Sequence, residues 1–407
     1  YAGMADLYAF FIEKGISLLA PGGIFSYIVA NKWLRTRYGK PLRIWLKSKC
    51  IEEITDFGDL PVFTGATTYP CIIRVSNQVP HMNPFVTKVN SLDFTLLEEY
   101  VNKKGDKVDQ FQFEDEGWSL ADSRTLAISR KIYQNAIPLV KYVDRKIFYG
   151  IKTGLNKAFV INEETRNQLV KEDHKNIEII KPFITGRDVK RYKCTWNKLF
   201  IIFTRHGINI EQYPVVYKYL LKYKENLMPK PKNWRGENWR GRKPGAYEWY
   251  EIQDTIDYYL EFDKEKIIYP NICKQPEFAF DTDKFLTNQK CFIISKNDKY
   301  LLGILNSKVM MFFFEIRIPK LRGNFFEPGF AFMKSFPVHK INSRNNNEVK
   351  IHDKVVELVN YMLDLHKRTP QTPFEQEQLE REIAATDTQI DRLVYDLYDL
   401  TEEEIKI

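Results

Sequence analysis

The strongest constraint on the fold is an alternation of helical and strand-like patterns over the first 78 residues. Leu7, Phe11 and Leu18, with Phe10 and Ile12 beside them, form the first helical stripe. The predicted elements follow in chain order as a helix at 7–18, a strand at 24–30, a helix at 38–49 and strands at 51–57 and 71–75. Such alternation with short turns is typical of an α/β sheet layer. Three or four strands are too few for a complete doubly wound domain, so we expect a truncated Rossmann-like sheet whose other strands precede residue 1.

The middle of the chain has a different pattern. Short β-rich runs recur between segments rich in Tyr, Phe, Lys and Asn, which indicates an α+β region. The predicted strands lie at 158–161, 199–204, 266–269 and 291–295, and a helix is predicted at 301–314.

The last part of the chain is predicted to be helical, with one helix at 351–368 and a longer one that starts near Phe374. The longer helix carries an a/d seam made of Leu379, Ile383, Thr386, Ile390, Leu393, Leu397 and Leu400. A hairpin that caps the preceding region is favoured over dimerisation, because three heptads without clear e/g pairing are marginal for a coiled coil. We therefore predict a mixed α/β chain with an α/β region at 1–90, a linker at 91–122, an α+β region at 123–345 and a helical hairpin at 346–407.

Several classes of protein and site are excluded by the residues themselves. No run approaches 18 uninterrupted apolar residues, so no membrane-spanning segment is predicted. The five cysteines form no CxxC pair and the six histidines are dispersed, which excludes a clustered zinc site. A sparse, odd cysteine count favours a reducing, cytoplasmic location. Neither GxGxxG nor GxxxxGKS/T occurs, so the common phosphate loops are absent from the sequence.

Charge is distributed unevenly along the chain. The whole chain has 61 Lys+Arg and 53 Asp+Glu, a formal net charge of +8. Residues 348–407 hold seven Lys/Arg and fifteen Asp/Glu, a net of −8, so residues 1–347 hold 54 and 38, a net of +16. A strongly basic body with an acidic tail is the pattern expected if the body faces nucleic acid.

The densest basic segment is also aromatic. Residues 215–245 contain nine Lys/Arg, two Asp/Glu and five Tyr/Trp, and the unit Trp-Arg-Gly occurs twice, five residues apart. Lys and Arg neutralise phosphates, aromatic rings stack on bases, and Arg forks onto guanine edges. On composition alone, a solvated surface loop with its Trp residues packed inward is an equally good interpretation.

Several stretches in a fixed order resemble adenine-specific DNA methyltransferases, and more closely the single-chain type IIG restriction–modification enzymes. In the first region these stretches lie at 6–14, 19–34, 38–43 and 62–63. In the second region, the stretches at 150–161 and 180–192 resemble the TaqI-like specificity domain of that family. The stretch at 269–274 and the terminal stretch at 385–398 fit the same family.

The resemblance implies sequence-specific recognition of double-stranded DNA within an S-adenosylmethionine-dependent enzyme that flips an adenine and methylates its amino nitrogen. The Gly-rich cofactor loop and the Asn/Asp-Pro-Pro-Tyr/Phe loop of that family are missing from the sequence. We therefore expect a monomeric C-terminal part whose N-terminal methyltransferase half is missing, and which is catalytically inactive alone. Mg²⁺ would be needed only if the parent enzyme has a nuclease domain. A non-catalytic specificity subunit that directs a separate methyltransferase is the alternative, and an RNA-binding scaffold is a third class.

The resemblance and the basic clusters together name the candidate site residues. Phe63 matches the aromatic that stacks on the flipped base, and Phe11 matches the aromatic beside the cofactor adenine; Asn31 and Trp33 are further candidates for the same cleft. The expected phosphate contacts are Lys152, Thr153, Asn156, Arg187, Lys190, Arg191 and Lys274. The expected groove and base contacts are Arg235, Arg240, Arg242, Lys243, Lys320 and Arg322. Arg205, Trp234 and Trp239 complete the predicted DNA surface.

Overall fold

The computed structural model describes residues 5–65, 68–115, 117–321 and 323–407. The chain divides into two compact units. The first unit comprises Tyr1–Ala136, Met311–Glu327 and Tyr398–Ile407, and the second comprises Ile137–Met310 and Pro328–Leu397. Both units combine helices with sheets, so the predicted mixed α/β class is confirmed. The finer domain boundaries and the truncated Rossmann character stay predictions.

A five-stranded sheet forms the first unit. Its strands are β1 (Ile24–Ala30), β2 (Cys50–Asp56), β3 (Pro70–Ser76), β4 (Phe85–Lys88) and β5 (Asp106–Lys107), in the spatial order β1-β3-β2-β4-β5. The first three confirm the predicted strands. β3 is antiparallel to both β1 and β2, whereas β4 is parallel to β2. The carboxyl ends of β1, β2 and β4 therefore meet at one edge of the sheet, the usual location of a ligand crevice in such sheets.

The helices of the first unit are α1 (Leu7–Ser17), α2 (Lys40–Leu46), α3 (Leu97–Lys104) and α4 (Ser123–Gln134). Most of the apolar stripe named from the sequence on α1 is not the buried face of the helix. Ala9, Ile12 and Ile16 are fully buried, whereas Leu7, Phe11 and Leu18 are 65, 53 and 70% exposed. Both stripes have helical spacing, and the helix buries the one with the smaller side chains against the core.

Aromatic packing closes the core of the first unit. Trp33 is fully buried, and its ring meets the edge of Trp118 at 5.4 Å between centroids, while Trp118 stacks on Phe113 at 4.7 Å. Burial rules out the expectation that Trp33 lines a cleft. Residues 91–122, predicted as a linker, supply Val108, Phe113, Trp118 and Leu120 to this core.

Two four-stranded sheets form the second unit around one large core. The first has the order Leu286–Thr287, Ile180–Ile184, Leu199–Ile202 and Val160–Ile161; the second has the order Ala279–Asp281, Lys266–Pro270, Cys291–Ile294 and Ile147–Tyr149. The run at 158–161 is half helix, because Asn156–Phe159 forms a helical turn before its strand begins. The helix predicted at 301–314 is split into Lys299–Asn306 and Lys308–Arg317.

The C-terminal helices are Asn346–Leu365 and Pro373–Leu397, and they pack against each other. The first also lies close to the helix Lys299–Asn306. A Cβ atom at Gly303 would come within 2.9 Å of Val355 and 3.0 Å of Val359, so only glycine permits this approach.

The remaining elements are short. The helices are Leu139–Tyr142, Asn156–Phe159, Glu163–Glu172, Pro214–Leu221, Lys224–Leu227, Phe330–Met333 and Glu402–Ile405. The strands are Ala136–Pro138, Val189–Lys190, Lys193–Cys194, Lys320–Leu321, Phe325–Phe326 and Pro337–His339. Within the described ranges, no helix has the length and apolar character needed to cross a bilayer. The same ranges contain no group of three or more His, Cys, Asp or Glu side chains placed to hold a metal ion.

Candidate functional site

The basic loop, defined here as residues 229–245, is closed by its own backbone. The Arg242 amide donates to the Met228 carbonyl at 2.9 Å, and the Lys230 amide donates to the Arg242 carbonyl at 3.0 Å. These two bonds tie the ends of the loop together. The residues between them are therefore displayed from a fixed base.

The side chain of Arg242 holds this base in place. Its Nε donates to the Leu227 carbonyl at 2.8 Å, and its Nη1 donates to the carbonyls of Thr153 at 2.9 Å and Glu251 at 2.7 Å. Its Nη2 donates to Trp249 at 2.9 Å and to Glu248 at 3.3 Å. Burial lowers the pKa of Arg242 to about 10, so the guanidinium stays charged near neutral pH. With every N–H engaged and 4% of the residue exposed, Arg242 is an anchor, which corrects its prediction as a base contact.

The two Trp-Arg-Gly units have the same local design. A Cβ atom at Gly236 would lie 2.6 Å from the ring of Trp234, and one at Gly241 would lie 2.7 Å from the indole nitrogen of Trp239. Each indole thus folds back onto the glycine two residues later. The two rings meet at 5.0 Å between centroids, and the Trp239 indole N–H donates to the Met228 carbonyl at 3.2 Å.

This design leaves the cations of the loop exposed. Arg235, Arg240 and Lys243 are solvent-exposed and, within the described part of the chain, make no side-chain hydrogen bond or ion pair. Trp234 is 41% exposed, whereas Trp239 is partly buried. The loop therefore presents free guanidinium groups beside an accessible aromatic ring, an arrangement suited to phosphates and base edges.

The segment 150–154 supports the loop and has no free phosphate-binding amides at its start. The amides of Gly150 and Ile151 donate to the carbonyls of Cys291 and Thr287 at 2.9 and 2.6 Å. Thr153 is 1% exposed, and its hydroxyl donates to Asn156 at 2.7 Å, which corrects its prediction as a phosphate contact. Gly154 has a φ of +80°, and a Cβ there would lie 2.5 Å from Cδ of Arg242.

The other predicted contacts of the second unit differ in their surroundings. Arg187 and Lys274 are exposed, Lys152 lies 3.7 Å from Asp254, and Lys190 pairs with Glu277 at 3.1 Å. Arg205 lies over the Tyr259 ring at 4.9 Å. Arg191 pairs with Asp387 and donates to the Asn306 carbonyl at 2.6 and 3.1 Å, so its guanidinium already has structural partners, and its DNA contact stays a prediction.

Lys320, a further predicted DNA contact, belongs to a segment of the first unit. Lys320 begins the short strand Lys320–Leu321, and its ammonium lies 2.8 Å from a carboxylate oxygen of Glu315. Arg322 lies outside the described residues. Sequence order grouped both with the recognition region, whereas the structure assigns residues 311–327 to the unit that contains the five-stranded sheet.

Polar and aromatic groups gather at the carboxyl edge of that sheet. The side-chain amide of Asn31, just after β1, donates to the Asp56 carboxylate at 2.7 Å, and the backbone amide of Gly58 donates to the same carboxylate at 3.1 Å. Phe63 follows in the loop 57–65 and is 43% exposed. Gly58 and Gly65 flank it with φ values of +57° and +83°, so the loop turns sharply at both ends. Phe11 is exposed on α1, which leaves its ring available for stacking.

Two cations near this edge were missed from the sequence. Arg35 donates from Nη1 to the Ile318 carbonyl at 2.8 Å, and burial lowers its pKa. Lys88 ends β4 opposite Asp56. Arg35 lies in a basic stretch with Lys32, Arg37 and Lys40, whereas Lys88 does not. The relation of both to residues 318–320 is non-local, so no sequence pattern marks them as neighbours.

Comparison with known proteins confirms the resemblance found in the sequence. Residues 181–338 match the TaqI-like C-terminal specificity domain, and residues 1–63 match the Eco57I restriction-modification methylase family. The chain is 25% identical over 341 residues to the type II methyltransferase M.PaeR7I of Pseudomonas aeruginosa, covering 79% of this chain and 56% of that protein. It is 22% identical over 438 residues to the type II restriction enzyme and methyltransferase RM.Eco57I of Escherichia coli, covering 99% of this chain and 43% of that protein.

The fold is also shared with a solved structure. The type IIL restriction-modification enzyme MmeI, solved in complex with DNA, superposes with a TM-score of 0.61 at 13% identity, covering 98% of this chain and 49% of that one. The chain spans about half the length of the curated relatives and of this structure.

Proposed function

Because the chain joins an Eco57I-type methylase segment to a TaqI-like specificity region, we propose that it is the DNA-recognition part of an adenine-specific, S-adenosylmethionine-dependent methyltransferase of the type IIG class. The observation that carries the proposal is the basic loop. Arg242 fixes its base through five hydrogen bonds, while Arg235 and Arg240 stay exposed. Double-stranded DNA is the expected partner.

The physical case rests on preorganisation. A loop that is ordered before binding loses less conformational entropy when it meets DNA, so more of its contact energy appears as affinity. A guanidinium donates two parallel hydrogen bonds to the O6 and N7 atoms of guanine in the major groove. Arg235 and Arg240 are displayed by two copies of one local unit and serve as the base-reading residues of the proposal. Arg187 serves as a phosphate contact and Lys243 as a groove contact.

The methyltransferase role concerns the first unit. S-adenosylmethionine would supply the methyl group, and the exposed ring of Phe11 fits stacking on its adenine. Phe63 would stack on the extruded target adenine, since an aromatic wall restores part of the stacking energy that extrusion costs. The exposed position of its ring at the carboxyl edge of the sheet supports this role.

The first experiment tests base reading by Arg240. Rounds of selection from a random duplex pool with the purified chain would define its recognition sequence. Arg240→Ala is expected to weaken binding by about 1–3 kcal/mol, or roughly 5- to 150-fold, and to relax selection at one base pair. Arg381→Ala is the matched control, since Arg381 is an exposed arginine on the helix Pro373–Leu397 and its loss should change neither value.

Three outcomes separate the alternatives. An equal loss on all sequences would make Arg240 a phosphate contact, and failure to enrich any sequence would contradict specific recognition. Stronger binding of single-stranded RNA than of duplex at the same salt concentration would favour an RNA-binding protein.

For Phe63, a duplex with 2-aminopurine at the target adenine should brighten on binding. Phe63→Ala should change that fluorescence, and an unchanged signal would contradict its stacking role.

A further inference from the structure

Lys88 occupies a position next to the candidate base-binding loop. It is the last residue of β4 and lies opposite Asp56, the last residue of the parallel strand β2. The Val89 amide donates to the Asp56 carbonyl at 2.8 Å, so the backbone is paired up to this edge. The chain that leaves β2 after Asp56 becomes the loop that carries Phe63. Lys88 therefore ends its strand where the Phe63 loop begins.

Two more cations reach the same place from distant parts of the sequence. Arg35 follows the short helical turn Asn31–Leu34, which comes after β1, and its guanidinium donates to the Ile318 carbonyl at 2.8 Å. This hydrogen bond fixes Ile318, two residues before Lys320, next to Arg35. The three cations thus come from β4, from the turn after β1 and from a segment more than 200 residues later.

The carboxylates nearby are already engaged. Asp56 accepts from Asn31 and from the Gly58 amide, Glu315 pairs with Lys320 at 2.8 Å, and Glu114 pairs with Arg317. The Lys88 side chain makes no hydrogen bond or ion pair within the described residues. The group Arg35, Lys88, Arg317 and Lys320 holds four positive charges, against three negative charges on Asp56, Glu114 and Glu315.

The electrostatic surroundings of Lys88 also favour a bound anion. Partial burial, followed by repulsion from Arg35 and Lys320, lowers the pKa of Lys88 and outweighs the attraction of Glu315 and Asp56, although the residue keeps a solvent-exposed surface. A cation whose pKa stays lowered despite these carboxylates, and whose side chain forms no ion pair in the described ranges, is stabilised by a bound anion. In DNA, each nucleotide carries one negatively charged phosphate group.

We propose that Lys88, together with Arg35 and Lys320, binds one phosphodiester group of the DNA next to the nucleotide that Phe63 contacts. The inference rests on the proposed function, since it requires duplex DNA at the carboxyl edge of the five-stranded sheet. It gives the first unit a sequence-independent role, which is to hold the backbone beside the extruded base. Arg35 and Lys320 position and supplement the charge, and Lys88 makes the contact.

The test compares duplex binding by Lys88→Gln, Lys88→Arg and the wild-type chain between 50 and 200 mM salt. Loss of one phosphate contact should make the slope of log affinity against log salt shallower by about 0.9. The advantage of the wild type over Lys88→Gln should therefore shrink about 3-fold across this range. The loss should be equal for selected and scrambled duplexes, and Lys88→Arg should restore it. Lys104→Gln, at the end of α3, removes the same charge from an exposed site of this unit and should have no effect.

A methylphosphonate scan locates the contact on the DNA. Neutralising one phosphate beside the target adenine should weaken the wild type and leave Lys88→Gln unaffected, whereas equal losses for both at every position would overturn the proposal. Without DNA, Lys88→Gln should melt at the same or a higher temperature, because it removes a repelled charge; a lower melting temperature would indicate a structural role instead.

The outcomes also separate this proposal from the proposed function. If the wild type binds no duplex, the proposed function fails and this proposal fails with it. If the wild type binds its selected sequence and Lys88→Gln behaves identically, only the phosphate site is overturned. If inorganic phosphate raises the melting temperature of the wild type but not of Lys88→Gln, and duplex binding is unchanged, the site takes a free anion and not DNA.

Discussion

Replacing Arg242 with Met is the sharpest test of how the basic loop is held. Methionine keeps an unbranched apolar stem and removes the guanidinium. Of the five carbonyls that lose a donor, those of Leu227, Thr153, Glu251 and Trp249 take part in buried hydrogen bonds. At about 1 kcal/mol for each buried bond, the free energy of unfolding should fall by roughly 4 kcal/mol. For a unit of this size, that corresponds to a fall of about 8–16 °C in melting temperature.

The assay combines thermal unfolding, followed by near-ultraviolet circular dichroism, with limited proteolysis. Arg242→Met should melt at the lower temperature, be cleaved faster within residues 229–245, and lose both affinity for duplex DNA and selection among sequences. Arg240→Met is the matched control, because Arg240 is exposed and without a side-chain partner in the described ranges. It should change stability by less than about 0.5 kcal/mol. A melting temperature for Arg242→Met within about 2 °C of the wild type would refute the anchoring role.

Two further predictions concern stability. Lys266 and Asp281 form an ion pair in which both side chains are fully buried, so Asp281→Asn should cost about 3–5 kcal/mol in urea unfolding. The double change Lys266→Met, Asp281→Asn should be more stable than that single change, and the reverse order would contradict the unpaired-charge explanation. The hydrogen bond from the Asn342 amide at 2.7 Å, and then the bond from His339, lower the pKa of Glu348 below its ordinary value. A lowered folded-state pKa stabilises the fold above the ordinary pKa, and this contribution is lost as the pH falls through the folded value. Glu348→Gln should therefore lower the melting temperature at pH 7 but not below the folded pKa; a difference independent of pH would argue against the charge.

Short-range sequence patterns correctly predicted the helices and strands that depend mainly on residues a few positions apart. The strands at 24–30, 51–57 and 71–75 were found from β-rich runs bounded by turn residues, because strand propensity and turn chemistry act over a few positions. Periodicity located α1 but not its buried face. Two stripes of the same spacing run along that helix, and only packing on the sheet decides which one is buried.

The candidate site also has features that the sequence predicted and features that only the structure shows. The two Trp-Arg-Gly units identified the basic loop, and composition alone pointed to its charge. Arg235, Arg240 and Arg242 are the same residue type within eight positions. Arg242 differs only because the carbonyls of Leu227, Thr153, Glu251 and Trp249 converge on it. No property of the loop sequence distinguishes an anchored arginine from an exposed one.

The sequence by itself determined the mixed α/β class, the family resemblance, the basic body with its acidic tail, and the loop that carries the arginines. Each of these features depends only on residue types and their order along the chain, so it does not require knowledge of tertiary contacts. Tertiary structure alone decided which cations are free, because burial and partners come from segments far apart in the chain. It buried Arg242 and Thr153, and it brought Lys88, Arg35 and Lys320 to one edge of a sheet.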